Sequence, residues 1–177
     1  MPSIQAIADA LSTTFTDERY PVGTLYVQTD NQVKSNLTGV SELYTEANWL
    51  GKGERTWIFI KAASAIAAGD LVGYSAGSDP FAGAPTQVDA ALPATLLGVA
   101  DNAIASGSYG WVIARGVCVG DFTTATANQF VVSNGNAGAA GEVKTVAASS
   151  TAGVIGMALE AKAAIYANGA QAYINVL

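Results

Sequence analysis

The sequence predicts a mainly β fold, in which two similar β-units close a small barrel or sandwich behind an N-terminal arm that contains a short helix. Short apolar runs separated by Gly-rich turns fill most of the chain after residue 57, a pattern typical of strands. In residues 96–121 an apolar entry, a Ser-Gly-Ser turn and a long apolar exit indicate two strands with a tight connection. An internal repeat indicates that the second half of the domain resembles the first.

Composition restricts the class of protein. The chain has 177 residues, of which half are hydrophobic and 12% are charged, as expected for one globular domain with a core. No apolar run reaches the roughly 20 residues of a membrane-spanning helix. A net charge of −6 with only 8 basic residues argues against nucleic acid or an anionic membrane as a partner. The apolar composition predicts contacts between subunits, with an Ala-rich core as the alternative explanation.

Residue types that carry most catalysis and metal binding are scarce. The chain has no His, which removes Ser-His-Asp triads, Cys-His dyads and His-based metal sites. The single cysteine, Cys118, lies in an apolar run and is predicted to be a buried small residue, not a nucleophile. The one tight acidic pair, Asp17-Glu18, is predicted to be solvated. We therefore predict no enzyme activity, no cofactor and no metal site.

Residues 1–56 are predicted to form the N-terminal arm, and residues 57–177 the β-domain. Ser3 is suited to cap a helix, and apolar residues follow it at helical spacing, so residues 3–15 are predicted to form a short amphipathic helix. Such a short helix is marginal alone and must dock on another surface. Its apolar stripe contains Ile4, Ile7 and Leu11.

The rest of the arm combines a strand with aromatic anchors. Residues 24–28 are strand-like, and they follow a turn at Tyr20-Pro21-Val22-Gly23. Large side chains in a segment too polar for its own core indicate contacts with another surface. These anchors are Tyr44, Trp49 and Leu50. Together with the helix stripe they are the predicted interface residues, and they contact either a neighbouring subunit or the barrel of the same subunit.

Within the β-domain, the apolar runs predict strands at 57–61, 71–74, 129–133 and 142–146, besides the two in the central stretch. Trp57 and Trp111 are predicted to lie in the core. The internal repeat consists of three matches: 97–100 with 155–158, 105–112 with 167–174, and Gly69-Asp70-Leu71 with Gly120-Asp121-Phe122. The predicted units are therefore 58–112 and 113–177. Gly98 and Gly156 lie inside apolar runs, which indicates a bulge or a close approach of another backbone.

Three segments of the β-domain carry a family resemblance. They are AIAAGDLVGYSAG, then GVADNAIASGSYGWVIARGVCVGD, and finally GVIGMALEA with the closing ANGAQAYINVL. In style and order these segments, within residues 57–177, resemble the small capsid decoration (cement) proteins of tailed bacteriophages. Residues 1–56 do not match that family. Their YPVGTLY is similar to openings of phage tail-fibre segments.

The resemblance implies a structural virion protein that is made in the host cytoplasm and lies on the outer surface of the capsid. It implies a homotrimer that bridges neighbouring subunits of the major capsid protein and stabilises the head. Its partners are then itself and the major capsid protein. The alternative function is a phage tail or receptor-binding component, whose β-domain contacts host glycans through Trp49, Trp57 or Tyr109.

Overall fold

The structure is a computed structural model, which describes residues 11–29, 53–75, 79, 81–86, 96–125, 127–133, 141, 143–146, 154–159 and 169–177. Within these residues the regular elements are ten strands, and none is a helix. In chain order they are β1 (Leu25–Gln28), β2 (Arg55–Ala62), β3 (Leu71–Tyr74), β4 (Ala82–Pro85), β5 (Leu96–Ala100), β6 (Tyr109–Thr124), β7 (Phe130–Ser133), β8 (Val143–Val146), β9 (Val154–Ala158) and β10 (Gly169–Asn175). The prediction of a mainly β fold is confirmed.

Strand β6 belongs to two closed rings of five strands. Its first half pairs with β2 and β5, and the first ring runs β2-β4-β3-β5-β6. Its second half pairs with β10 and β8, and the second ring runs β6-β8-β7-β9-β10. We call these rings the first and second barrel. Each unit thus closes its own ring, instead of the two units closing one barrel together, and their boundary lies inside β6.

The two barrels have the same strand pairings in the same register. Ile58 pairs with Val112 in the first barrel, and sixty positions further on, Cys118 pairs with Ala172. Further matching pairs are Val99 with Ile113 and Met157 with Tyr173, Val72 with Gly98 and Val131 with Gly156, and Tyr74 with Gly83 and Ser133 with Val143. The internal repeat is therefore present, strand for strand, in the pairing pattern.

The register corrects two of the three sequence matches. The match of 97–100 with 155–158 agrees with the pairing, but Tyr173 corresponds to Ile113 and not to Trp111. The connection from β9 to β10 is two residues longer than the connection from β5 to β6, whereas the sequence match inserted four residues there. The third match is also wrong, because Gly69 corresponds to Asn128. Both residues have positive φ, and their N–H groups donate to Ala100 and Ala158, which are matching residues.

The N-terminal segment differs from the prediction where it is described. Residues 11–15 form a turn followed by an isolated bridge from Phe15 to Tyr109, so the predicted helix does not extend through them. Ser12, Thr13 and Thr14 have low helix propensity, and the backbone at Phe15 pairs with a strand instead. The predicted strand at 24–28 is confirmed as β1, which pairs antiparallel with β2. The division of the chain at residue 56 stays a prediction.

Gly98 and Gly156 lie where another strand passes too close for a side chain. A Cβ on Gly98 would overlap the carbonyl oxygen of Ile113, and a Cβ on Gly156 would overlap that of Tyr173. Since Ile113 and Tyr173 are matching residues, the same close approach is built into both barrels. The prediction of a close backbone approach at these glycines is confirmed.

We predict that Gly98→Ala lowers the free energy of unfolding by about 2–4 kcal/mol, because it adds an overlap with backbone to an unfavourable φ of 151°. Gly107→Ala is the matched control, since Gly107 also has positive φ (78°) but has no atom within 4 Å of the added Cβ. This control should cost only about 1 kcal/mol. Urea denaturation measures both, and equal losses would contradict the close approach.

Candidate interaction surfaces

The side chains of the first barrel divide into an inner and an outer layer. A Cβ on Gly83 would contact Ile60, Val72 and Leu97, so these three side chains converge inside the ring. Because side chains alternate along a strand, Phe59 of β2 points to the opposite, outer side. Phe59 pairs with Trp111 of β6 and lies 5.1 Å from it between ring centroids. An aromatic surface therefore covers the outside of the first barrel.

Residues 11–28 of the same chain lie on this aromatic surface. We call the joint group the aromatic cluster, which consists of Phe15, Tyr20, Tyr26, Phe59, Tyr109 and Trp111. The ring centroids of Tyr20 and Phe59 lie 5.2 Å apart in an edge-to-face arrangement. Those of Tyr20 and Trp111 lie 5.3 Å apart, with the rings tilted by 54°. Such pairs add about 0.5–1.5 kcal/mol each to the burial of their area. The segment is also fixed by its backbone, since Phe15 and Tyr109 exchange two N–H···O bonds of 2.9 and 2.8 Å.

Strand β1 is held to the barrel by a polar contact as well as by its pairing with β2. The indole N–H of Trp57 donates to the side-chain oxygen of Gln28 at 3.1 Å, and both residues are buried. The prediction that Trp57 and Trp111 lie in the core is confirmed, since each is 2% exposed. Burial excludes Trp57 as a surface on which a glycan stacks. Tyr109 is stacked on Phe59, and Trp49 lies outside the described residues.

Of the six predicted interface residues, the structure describes one. Leu11 is buried against the core of its own chain, next to the segment that carries the aromatic cluster. The other five, Ile4, Ile7, Tyr44, Trp49 and Leu50, lie outside the described residues, and their role stays a prediction. Leu11 thus packs on its own subunit, while contacts of the arm with a neighbouring subunit stay a prediction.

Cys118 is an interior residue of the second barrel. Its Sγ lies 3.7 Å from the carbonyl oxygen of Ala172, and the side chain is buried, as predicted. Burial raises the pKa of the Cys118 thiol to about 12. The thiol is therefore protonated at neutral pH and is not a nucleophile.

The described residues contain neither a cluster suited to a metal ion nor a membrane-spanning helix. No three His, Cys, Asp or Glu side chains come together in a way that would hold a metal ion. No described helix has the length and hydrophobicity to cross a membrane.

Among the described residues, seven large hydrophobic side chains are exposed, and they form two groups. The first patch lies on β1, on β3 and just before β4, and consists of Leu25 (56%), Val27 (48%), Tyr74 (48%) and Phe81 (37%). The second patch lies on β9, on β10 and just after it, and consists of Met157 (41%), Tyr173 (37%) and Leu177 (61%). Contiguous apolar surface of this kind is a candidate for contacts with other molecules. The sequence analysis identified neither patch.

Pairings and contacts connect some members of each patch. The ring of Phe81 occupies the space beside Gly23, which leads into Leu25, and Tyr74 pairs with Gly83 at the start of β4. Met157 and Tyr173 are direct cross-strand partners. The hydroxyl of Tyr173 accepts a 3.4 Å hydrogen bond from Nε of Arg115, which is exposed. The first patch has the ion pair of Lys61 and Asp79 beside Phe81, and the second has the cation of Arg115 beside Tyr173.

Comparison with known proteins gives a structural likeness and no sequence match. No protein-family model matches the sequence, and a search of curated proteins found no match. The fold is similar to the crystal structure of the head fiber gp8.5 N base in bacteriophage phi29, with 18% sequence identity and a TM-score of 0.47. The match covers 68% of this chain and 93% of that chain. A likeness of this size carries no functional conclusion by itself.

We predict that Trp111→Ala lowers the free energy of unfolding by about 3–5 kcal/mol, because it removes the largest ring of the aromatic cluster from a fully buried site. Trp111→Phe should cost less, since a ring is kept and no described residue accepts the indole N–H. Tyr74→Ala, at an exposed site, should change stability by about 0.5 kcal/mol or less. Urea denaturation compares the three, and a near-neutral Trp111→Ala would contradict the cluster.

We predict that the free energy of unfolding falls as the pH rises from about 9 towards about 12, because the unfolded chain releases the Cys118 proton in this window and the folded chain keeps it. Cys118→Ala removes this contribution and should lose less stability over the same window. Denaturation curves at a series of pH values measure both proteins. An identical pH dependence, or rapid reaction of the native thiol with a disulfide reagent at mildly alkaline pH, would contradict the burial.

Proposed function

We propose that this chain is a structural virion protein of a tailed bacteriophage, which decorates and stabilises the outer surface of the capsid. In this proposal it assembles as a homotrimer and bridges neighbouring subunits of the major capsid protein. The observation that carries the proposal is the resemblance of residues 57–177 to capsid decoration proteins. The three segments that carry it contain β3 with the turn before it, the run from β5 through β6, and the last two strands.

The physical character of the molecule supports this function. An acidic protein, with a net charge of −6, lies outside the head without competing for the packaged DNA. Closed rings leave few strand edges exposed, which suits a protein that is displayed in many copies on one surface. The two apolar patches provide surfaces for contacts with a capsid or with other copies. Many modest contacts on a closed lattice add up through multivalency.

The phi29 head fiber base, to which the fold is similar, is also part of a phage particle. That likeness agrees with a virion protein, but the proposal does not rest on it. The glycan-binding alternative required exposed aromatic side chains, and the burial of Trp57 removes one of the three that were predicted.

We predict that immunogold electron microscopy, with antibody raised against the purified protein, labels the whole surface of the head in particles of the phage that encodes this chain. The measurement separates the hypotheses, since label confined to the tail would favour receptor binding. Particles without label would contradict a virion role. A second phage without this gene is the control for the antibody.

The homotrimer and the bridging of major capsid protein subunits are tested by a separate measurement on the same particles. Chemical cross-linking with mass spectrometry should give cross-links from Lys61, which is partly exposed, to the major capsid protein. Cross-links between copies of this chain, with a band at three times the monomer mass, are expected for a trimer. Head labelling without either cross-link would keep the location and overturn the bridging role.

A further inference from the structure

The two barrels of one chain meet through a junction that does not depend only on β6. The backbone of Gly141, just before β8, donates to the carbonyl oxygen of Thr86 at 3.0 Å and accepts from Leu71 N–H at 2.7 Å. A Cβ on Gly141 would overlap the carboxylate of Asp70, so the two barrels are in direct contact there. We call the end of a barrel at the position of Gly141 its leading end, and the end at the positions of Asp70, Leu71 and Thr86 its trailing end. The leading end of the second barrel therefore packs on the trailing end of the first.

The first barrel has its own leading end, and the repeat identifies it. Because Tyr74 pairs with Gly83 as Ser133 pairs with Val143, the residue that matches Gly141 is Phe81. The backbone confirms the match, since φ is 94° at Gly141 and 68° at Phe81. Phe81 thus occupies the position through which a barrel contacts the barrel before it, and it lies in the first patch.

The second barrel likewise has a trailing end that no barrel of the same chain covers. In the first barrel, Leu71 at the junction pairs with Val99, which pairs with Ile113, and all three are buried. The matching row of the second barrel begins at Phe130 and continues through Met157 and Tyr173. These last two are exposed and form the core of the second patch.

We propose that copies of this chain associate head to tail, with the first patch of one copy packed on the second patch of the next. The occupant of each patch is a second copy, because each patch contains a residue that matches one half of a junction inside the chain. Phe81 of the first patch matches Gly141, whereas Met157 and Tyr173 of the second match Val99 and Ile113, which lie in one row with Leu71. The inference rests on the repeat and stands whether or not the protein is a virion component.

The backbone at Phe81 supports a contact at this position. A bulky residue with positive φ is a strained conformation, which glycine would adopt without cost. The matching position of the second barrel has glycine. The Phe81 ring packs beside Gly23 of its own chain and is 37% exposed, so part of it is left for a contact with another copy.

The contact is heterologous, since two different surfaces meet, so repeated association gives a closed ring or an open chain of copies. The full-length protein is studied by sedimentation velocity over a range of concentrations. The wild type should form trimers or longer species. Phe81→Gly should weaken association by about tenfold or more while its melting temperature stays equal or rises, because glycine relieves the positive φ. Met157→Glu should weaken association to a similar extent at the other end.

Mixing the two variants is the decisive test. Each variant has one intact end, so an equimolar mixture should form dimers where each variant alone is monomeric. Ala105→Glu is the matched control, since it adds the same charge on the exposed loop between β5 and β6 and should assemble like the wild type. A monomeric wild type would overturn the proposal. So would a Met157→Glu protein that assembles fully, because the contact would then join two first patches.

Discussion

The sharing of β6 between two rings is the constraint on which the rest of the structure depends. At sixteen residues, β6 is far longer than the five or six typical of strands, because each half closes a different barrel. Val112 in the first half and Cys118 in the second half are both buried and lie an even number of positions apart, so the inward side of the strand is kept along its length. A slip of one residue would turn all inward side chains outward in both barrels at once. The register of one barrel therefore fixes that of the other.

The same pairing scheme carries different side chains in the two barrels, and this decides where the N-terminal segment docks. Phe59 and Trp111 cover the outside of the first barrel, while the matching residues of the second are Val119 and Gln171. Tyr20 packs against two rings on the first barrel, and the second has none at these positions. The segment and the first barrel thus form one folding unit through aromatic contacts. At the matching outer positions the second barrel offers no ring on which such a segment could pack.

The fold class and most strands followed from the sequence, because turn residues and short apolar runs are local signals. The long exit strand also followed, but its sharing between two rings did not, because the partners with which a strand pairs are not a local property of its sequence. The alignment of Trp111 with Tyr173 failed because Gly-rich turns match by composition, while pairing sets the true register. The helix through residues 3–15 failed at its end, where a backbone partner for Phe15 exists only in the folded chain. Most predicted interface residues remain untested, and the two patches depend on the order of the barrels, which no local pattern contains.

The leading ends of the two barrels differ in one residue that bears on assembly. The leading end of the second barrel lies inside the chain and has Gly141, which is suited to its positive φ. The leading end of the first barrel has no such contact among the described residues and has Phe81 in the same conformation. An open chain of copies would always leave one first patch and one second patch exposed to water. In a closed ring every first patch is covered by a second patch, so neither patch stays exposed to water. A three-membered ring is therefore the assembly in which the head-to-tail contact and the proposed trimer require the same two surfaces.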